Sequence, residues 1–209
     1  MEETRCWQCG QPTAGELFCP SCNHLQQPTS DYYKFFGLPQ KLNLDPGDLQ
    51  KRFYSLSRQL HPDRFTRSTP TERQYSLEAT AILNDGYRVL RDPVSRAEYV
   101  LRQRGFDVGE QRSKDVPPEL LEEVFELNMA LEELKVGDES AREQLEESRA
   151  KFRSMRDEVD SQLQQLFVRY DESADQDSAN AILQEIRGVL NRRRYIRNLV
   201  DQVERELAA

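Results

Sequence analysis

Asp45-Pro46-Gly47-Asp48-Leu49-Gln50-Lys51-Arg52-Phe53-Tyr54-Ser55-Leu56-Ser57-Arg58-Gln59-Leu60-His61-Pro62-Asp63 is the stretch that decides the fold. Asp45 followed by Pro46 is a helix start, a capping side chain with proline in the first turn. Leu49, Phe53, Leu56 and Leu60 recur at spacings of four, three and four, one apolar stripe of a helix. Lys51, Ser55 and Arg58 fall on another face, flanked by Arg52 and Gln59. Pro62 disfavours helical geometry at His61, so the helix ends near Leu60 and His61-Pro62-Asp63 occupies an exposed loop. A second helix is announced by Thr69-Pro70-Thr71-Glu72, a capping box with proline. Its inner stripe is Leu83, Tyr87 and Leu90, with Ala79 and Thr80 nearby, and Asp92-Pro93 ends it. Two helices joined by a short polar loop make an antiparallel hairpin. Ahead of it, Asp31 and Gly37 bracket a short aromatic helix containing Tyr32, Tyr33 and Phe36.

The C-terminal half repeats the helical period over longer spans. Leu120, Val124, Leu127, Leu131 and Leu134 mark a helix over about 118–135. Leu145, Phe152, Met155, Val159, Leu163, Leu166 and Tyr170 mark one over about 138–170. Ile182, Ile186, Val189, Ile196, Leu199, Val203 and Leu207 mark a third over about 176–207. Short polar turns between them predict an antiparallel three-helix bundle. The first of these helices has a second apolar row, Leu121, Phe125 and Met129, beside Glu122, Glu126 and Glu133. That row serves equally well as a second core face or as an exposed patch with an acidic rim. On the third helix, Arg192, Arg193, Arg194 and Arg197 surround Tyr195 and interrupt the stripe.

All four cysteines lie near the N-terminus as two CxxC knuckles, Cys6 with Cys9 and Cys19 with Cys22. Each knuckle offers two sulfurs from one turn, the donor set of a tetrahedral thiolate site. Gly10 and Asn23 come directly after the knuckles, where a positive φ is useful. So small a module cannot build a core alone, so the metal supplies its folding energy. Zinc is the expected metal, and iron is the alternative on the same four sulfurs. Without a secretory signal a disulfide pair is disfavoured, and a closed set of four thiolates leaves no open position for metal catalysis.

Composition narrows the class further. The chain has 209 residues, 37% hydrophobic and 32% charged, with a net charge of −8. This is the profile of thin helical bundles. No apolar run is long enough to span a membrane, and Met1-Glu2-Glu3-Thr4-Arg5 does not read as a signal peptide. The expected setting is the cytoplasm of a bacterium, or the mitochondrial matrix for a processed eukaryotic chain. Acids outnumber bases 20 to 9 between Glu110 and Asp177, whereas residues 45–67 and 187–197 are locally basic. That pattern disfavours nucleic acid and suits docking on acidic protein surfaces.

Asp31-Tyr32-Tyr33, Phe36-Gly37-Leu38, the basic helix, His61-Pro62-Asp63 and Leu83-Asn84-Asp85-Gly86-Tyr87-Arg88-Val89-Leu90 together resemble a J-domain of the DnaJ class. Gly86 stands where that family usually has alanine. The resemblance implies a 70-kDa heat-shock chaperone of the HscA/DnaK class as partner, engaged by His61, Pro62, Asp63, Lys51, Arg52 and Arg58. A J-domain succeeded by an acidic three-helix bundle, with Ser95-Arg96-Ala97-Glu98-Tyr99 and Gly105-Phe106-Asp107 at the junction, resembles the HscB-type (mitochondrial Jac-type) iron–sulfur co-chaperones. The tetracysteine module resembles the metal-binding extension of some members. This resemblance implies a non-enzymatic co-chaperone that promotes iron–sulfur cluster transfer from an IscU-type scaffold. Its scaffold-binding face falls on Leu121, Glu122, Phe125, Glu126, Met129 and Tyr195. Glu122 and Met129 depart from the family pattern, which has a methionine and an acid at those places.

The expected organisation is therefore all-α: a zinc-knuckle module over 1–27, a J-domain over 28–104, a linker over 105–117 and the bundle over 118–209. The alternative function is a general J-domain co-chaperone for unfolded clients, which would need a broader apolar surface than one short row.

Overall fold

The computed structural model describes residues 4–108 and 118–208; residues 109–117 of the expected linker lie outside this range. Among the described residues the chain is all-α, with seven α-helices and no β-strand. These are α1 (Tyr32–Phe36), α2 (Pro46–Leu60), α3 (Pro70–Arg91), α4 (Pro93–Gln103), α5 (Leu121–Lys135), α6 (Ser140–Asp171) and α7 (Gln176–Ala208). No helix is long and apolar enough to cross a membrane. Two compact units divide inside α4, the first ending at Tyr99 and the second beginning at Val100. The knuckle module therefore folds within the same unit as the α2–α3 hairpin.

The helix starts obey the local chemistry of the sequence. Carboxylates of Asp31 and Asp45 accept the N–H groups of Lys34 and Asp48, at 3.2 and 2.7 Å. Thr69 Oγ1 accepts the N–H of Glu72 at 3.2 Å. Asp92 ends α3 and also caps α4, its carboxylate accepting the Ser95 N–H at 2.7 Å. Each cap satisfies a donor that the first turn of a helix leaves without a partner. Gly37 closes α1 with φ +62.

Leu49, Leu60, Ala79, Leu83 and Leu90 fill the hairpin core, with Tyr33, Phe35 and Phe36 of α1. Phe53 of α2 stacks on Tyr87 of α3, ring centroids 4.3 Å apart. Gly86 lets α1 approach α3: a Cβ there would lie 3.0 Å from both Tyr32 and Phe36. Buried Arg96 of α4 joins distant backbone, donating from Nε to the Leu42 carbonyl at 2.9 Å and from Nη1 to the Leu90 carbonyl. Tyr99 stacks on Tyr32, and its hydroxyl accepts the Tyr32 N–H at 3.0 Å.

In the second unit α6 is the shared partner of α5 and α7. Arg169 pairs with Glu185, Asp160 with Arg193, and Arg153 with Glu204. Residue numbers that rise on one helix while they fall on the other make α6 and α7 antiparallel. Lys151 of α6 lies 3.5 Å from Glu123 and 3.7 Å from Glu126 of α5. Arg193 and Glu123 are part-buried and the other partners are exposed; the exposed pairs set register more than stability, since each contributes at most about 1 kcal/mol. The stability comes from the apolar seam: Leu127, Ala130 and Leu131 of α5, Leu145, Phe152, Val159, Leu163, Leu166 and Phe167 of α6, and Ile182, Ile186, Ile196, Leu199 and Val203 of α7.

The turn between α2 and α3 is held by one carbonyl. Helix α2 leaves the Leu60 carbonyl without a helical partner, because Pro62 breaks the ladder. Buried Ser76 of α3 donates its hydroxyl to that oxygen at 2.7 Å; the Thr80 hydroxyl lies 3.4 Å from it, with the Ser76 carbonyl its nearer acceptor at 2.8 Å. Replacing Ser76→Ala removes this donor in a buried setting, so urea unfolding of the full chain should show a loss of about 1–3 kcal/mol.

Candidate chaperone, scaffold and metal sites

The His-Pro-Asp loop is short and pinned at its base. Pro62–Phe65 form a single 3-10 turn directly after α2. Phe65 is buried beneath it. His61 Nδ1 accepts the Asp63 N–H at 3.3 Å and lies 3.5 Å from the Asp63 carboxylate, so the two side chains share one side of the turn. The Asp63 side chain is 87% exposed. An exposed carboxylate on a rigid turn can accept a bidentate pair from a guanidinium with little ordering cost.

Lys51 and Arg58 of α2 are exposed and, with Tyr54 and Ser57, line a shallow hollow of about 400 Å³. Arg52, expected beside them, is turned elsewhere. Its guanidinium donates to the Phe36 and Gly37 carbonyls, at 3.1 and 3.0 Å, and to Asp48 at 2.8 Å. It is thereby the C-terminal clasp of α1 rather than a free cation on the basic face. Helical spacing alone could not separate it from Lys51, because the carbonyls it meets lie 15 and 16 residues away.

The α5 row faces solvent. Leu121 and Met129 are at least half exposed and Phe125 is 65% exposed. The core of α5 is built from the other row, so the ambiguity left by the sequence resolves toward a surface patch. Glu122 and Glu126 are exposed beside it, and Phe125, Asn128, Met129, Glu132 and Glu133 line a groove of about 330 Å³. Tyr195 is on a different helix, half-buried in α7, where burial pushes its phenol above the usual range. Its neighbour Arg193 is committed to a bidentate pair with Asp160 of α6, so this part of the arginine cluster serves the bundle.

At the N-terminus the four cysteine sulfurs converge, all within 4.8 Å of one another. Cys6 and Cys22 Sγ are 3.6 Å apart, and Cys9 and Cys19 Sγ are 3.7 Å apart. A tetrahedral ion with metal–sulfur bonds of about 2.3 Å requires sulfur edges of about 3.8 Å, so the set fits one. The same distances are far beyond a disulfide bond of about 2.05 Å. Gly10 and Asn23 take φ +74 and +59, turning each knuckle back on itself. Burial would raise the Cys6 thiol, yet the N–H groups of Cys9 and Gln8 at its sulfur bring it down to about 6. For Cys22 the His24 backbone acts downward, but burial and three adjacent thiols push it up to about 12. Sulfurs this close hold protons among themselves unless a cation replaces them. The four cysteines are positioned to bind a metal ion.

Trp7, between the first two cysteines, is a part of the site that the cysteine spacing does not reveal. Its indole N–H donates to the Leu25 carbonyl at 2.8 Å, and its ring meets His24 and Tyr75 edge-on. An aromatic residue inside a CxxC knuckle is the local sign that could have marked it.

The hairpin with its exposed Asp63 defines a J-domain protein, and residues 31–99 match the DnaJ domain. Residues 116–204 match the HSCB C-terminal oligomerisation domain. The human iron–sulfur cluster co-chaperone protein HscB is 30% identical over 207 residues, covering 96% of this chain and 81% of that protein. A co-chaperone protein HscB homolog of Vibrio vulnificus is 37% identical over 111 residues, covering 53% of this chain and 64% of that protein. The crystal structure of the human protein superposes with a TM-score of 0.72 at 26% identity, covering 97% of this chain and 98% of that one. The chain belongs to the HscB family of iron–sulfur cluster co-chaperones, which are not enzymes.

Metal and protons compete for the same four sulfurs. Affinity for a divalent cation should therefore fall as pH is lowered. Calorimetry in buffers of different ionisation enthalpy should detect proton release on loading at neutral pH.

Proposed function

We propose that this chain is an adaptor between an iron–sulfur cluster scaffold of the IscU type and a 70-kDa heat-shock chaperone of the HscA/DnaK class. The observation that carries the reading is Asp63, nine-tenths free in water on a turn whose two ends are fixed to α3. Asp63 engages an arginine of the chaperone, with His61 and Pro62 setting its direction. Lys51 and Arg58 steer the approach to an acidic surface, which acts on association rate and salt dependence. Arg52 supports this face indirectly, by holding α1 to α2.

Scaffold binding falls to the α5 patch of Leu121, Phe125 and Met129, rimmed by Glu122 and Glu126, with Tyr195 contributing from α7. A short row of three apolar side chains favours one shaped partner over assorted unfolded clients. With both partners held by one chain, the scaffold reaches the chaperone at high effective concentration, and ATP hydrolysis drives cluster transfer. The metal at Cys6, Cys9, Cys19 and Cys22 is zinc, in a closed structural site. In this reading the chain comprises a module over 1–27, a J-domain over 28–104, a linker over 105–117 and a scaffold-binding bundle from 118.

Asp63→Ala should abolish stimulation of the chaperone ATPase in a steady-state assay while leaving scaffold affinity unchanged; normal stimulation would refute the assignment. Lys51→Glu with Arg58→Glu should raise the chain concentration needed for half-maximal stimulation and flatten its salt dependence. The pair Phe125→Ala and Tyr195→Ala should weaken scaffold binding by about tenfold or more, on the scale of interface anchors, with ATPase stimulation by the chain alone retained.

A further inference from the structure

Glu72 sits in the third position of α3, the place of a capping-box glutamate, but its carboxylate does two jobs. One oxygen accepts the Thr69 hydroxyl at 3.3 Å, closing the cap of α3. The other accepts the Leu25 N–H at 3.3 Å, 47 residues away in the knuckle module. Glu72 is only 8% exposed and Leu25 is fully buried. A buried carboxylate depends on its donors, so the first turn of α3 draws part of its support from the module.

Leu25 in turn is held by the module. Its carbonyl accepts the Trp7 indole N–H, and Trp7 lies between Cys6 and Cys9. Phe18 and Leu25 bridge in antiparallel fashion across the second knuckle. Gln26, next in the chain, donates to Cys6 Sγ at 3.4 Å and to the His24 carbonyl at 2.7 Å. The Trp7 ring also meets Tyr75, three residues after Glu72. On the loop side, Thr69 is the residue through which residues 61–68 enter α3, and Ser76, one turn beyond Glu72, holds the Leu60 carbonyl at the other end of the loop.

We infer that Glu72 is a positioning residue for the His-Pro-Asp loop, through which the metal-folded module holds that loop in place. Filling the four-cysteine site orders Trp7 and Leu25, Leu25 fixes Glu72, and Glu72 fixes the entry of the loop into α3. By linkage the coupling runs both ways: whatever metal binding contributes to loop order through Glu72, loop order contributes to metal affinity. The coupling matters through the loop's proposed role in chaperone docking, but loop order can be read on the chain alone, without any partner.

The test is amide hydrogen exchange on the full chain, loaded with Zn²⁺ and then stripped by a chelator. In the unaltered chain, stripping should speed exchange across residues 61–73 by about threefold or more while residues 79–90 of α3 stay protected. In Glu72→Ala the loop should exchange fast in both states, so that stripping adds nothing; Glu72→Gln, which keeps an acceptor for the Leu25 N–H, should restore the response. A loop that exchanges equally with and without metal in the unaltered chain would overturn the inference. So would a Glu72→Ala chain that responds to stripping as fully as the original. If Glu72→Ala loses protection over 79–90 as well, Trp7→Phe decides: it deletes the indole donor to Leu25, and an undiminished metal response in that variant also overturns the inference. A failure here would leave chaperone stimulation by Asp63 untouched.

Discussion

The carbonyl of Leu60 is the point on which the hairpin depends. Pro62 ends α2 and strips that oxygen of its helical partner, and the oxygen is buried where water cannot replace it. Ser76 of α3 supplies the missing donor, and Thr80, one turn further on, donates to the Ser76 carbonyl at 2.8 Å. The bond that repairs the end of one helix thereby fixes its distance to the next. The four residues of the 3-10 turn have little freedom left, and Asp63 is held outward while Phe65 is drawn in. A rigid projecting carboxylate is a consequence of closing the hairpin, not a separate device.

The two units use the same helical period for opposite ends. In α2 and α3 most large apolar side chains are consumed by the hairpin and by α1, Tyr54 and Leu77 staying more than half exposed, and the exposed face of α2 carries Lys51 and Arg58 with Tyr54 between them. In α5 the apolar content exceeds what one seam can bury, and the surplus emerges as the Leu121, Phe125 and Met129 row. Charged and apolar contacts differ in salt response, so binding at the two proposed surfaces would not vary together with ionic strength.

Much of this was legible in the sequence because its signals are local. Caps at Asp31, Asp45 and Thr69, the stop at Asp92-Pro93, the positive φ of Gly10 and Asn23, and the stripes of α2, α3 and the bundle all depend on residues within a turn or two. The cysteine spacing likewise announced its own geometry. What stayed hidden depends on distance along the chain. Arg52 looked like its neighbour Lys51 until α1 was seen beside it. Arg96 gave no sign of being buried, because its partners are Leu42 and Leu90 carbonyls. Glu72 read as a capping-box residue and nothing more, since its second partner lies in another module. Whether the α5 row was core or surface could not be decided by period alone; only the packing of α5 on α6 settles it.

The proposed adaptor needs two independent binding surfaces on one chain, a rigid charged loop and an apolar helix row. Nuclear magnetic resonance of the isotopically labelled chain, titrated first with an ATP-loaded 70-kDa chaperone and then with the cluster scaffold, tests it most directly. The chaperone should perturb signals of Lys51, Arg58 and His61–Asp63, and the scaffold should then perturb Leu121, Phe125 and Met129 without reversing the first set. Perturbation of one shared set by both proteins, or displacement of the first partner by the second, would contradict it.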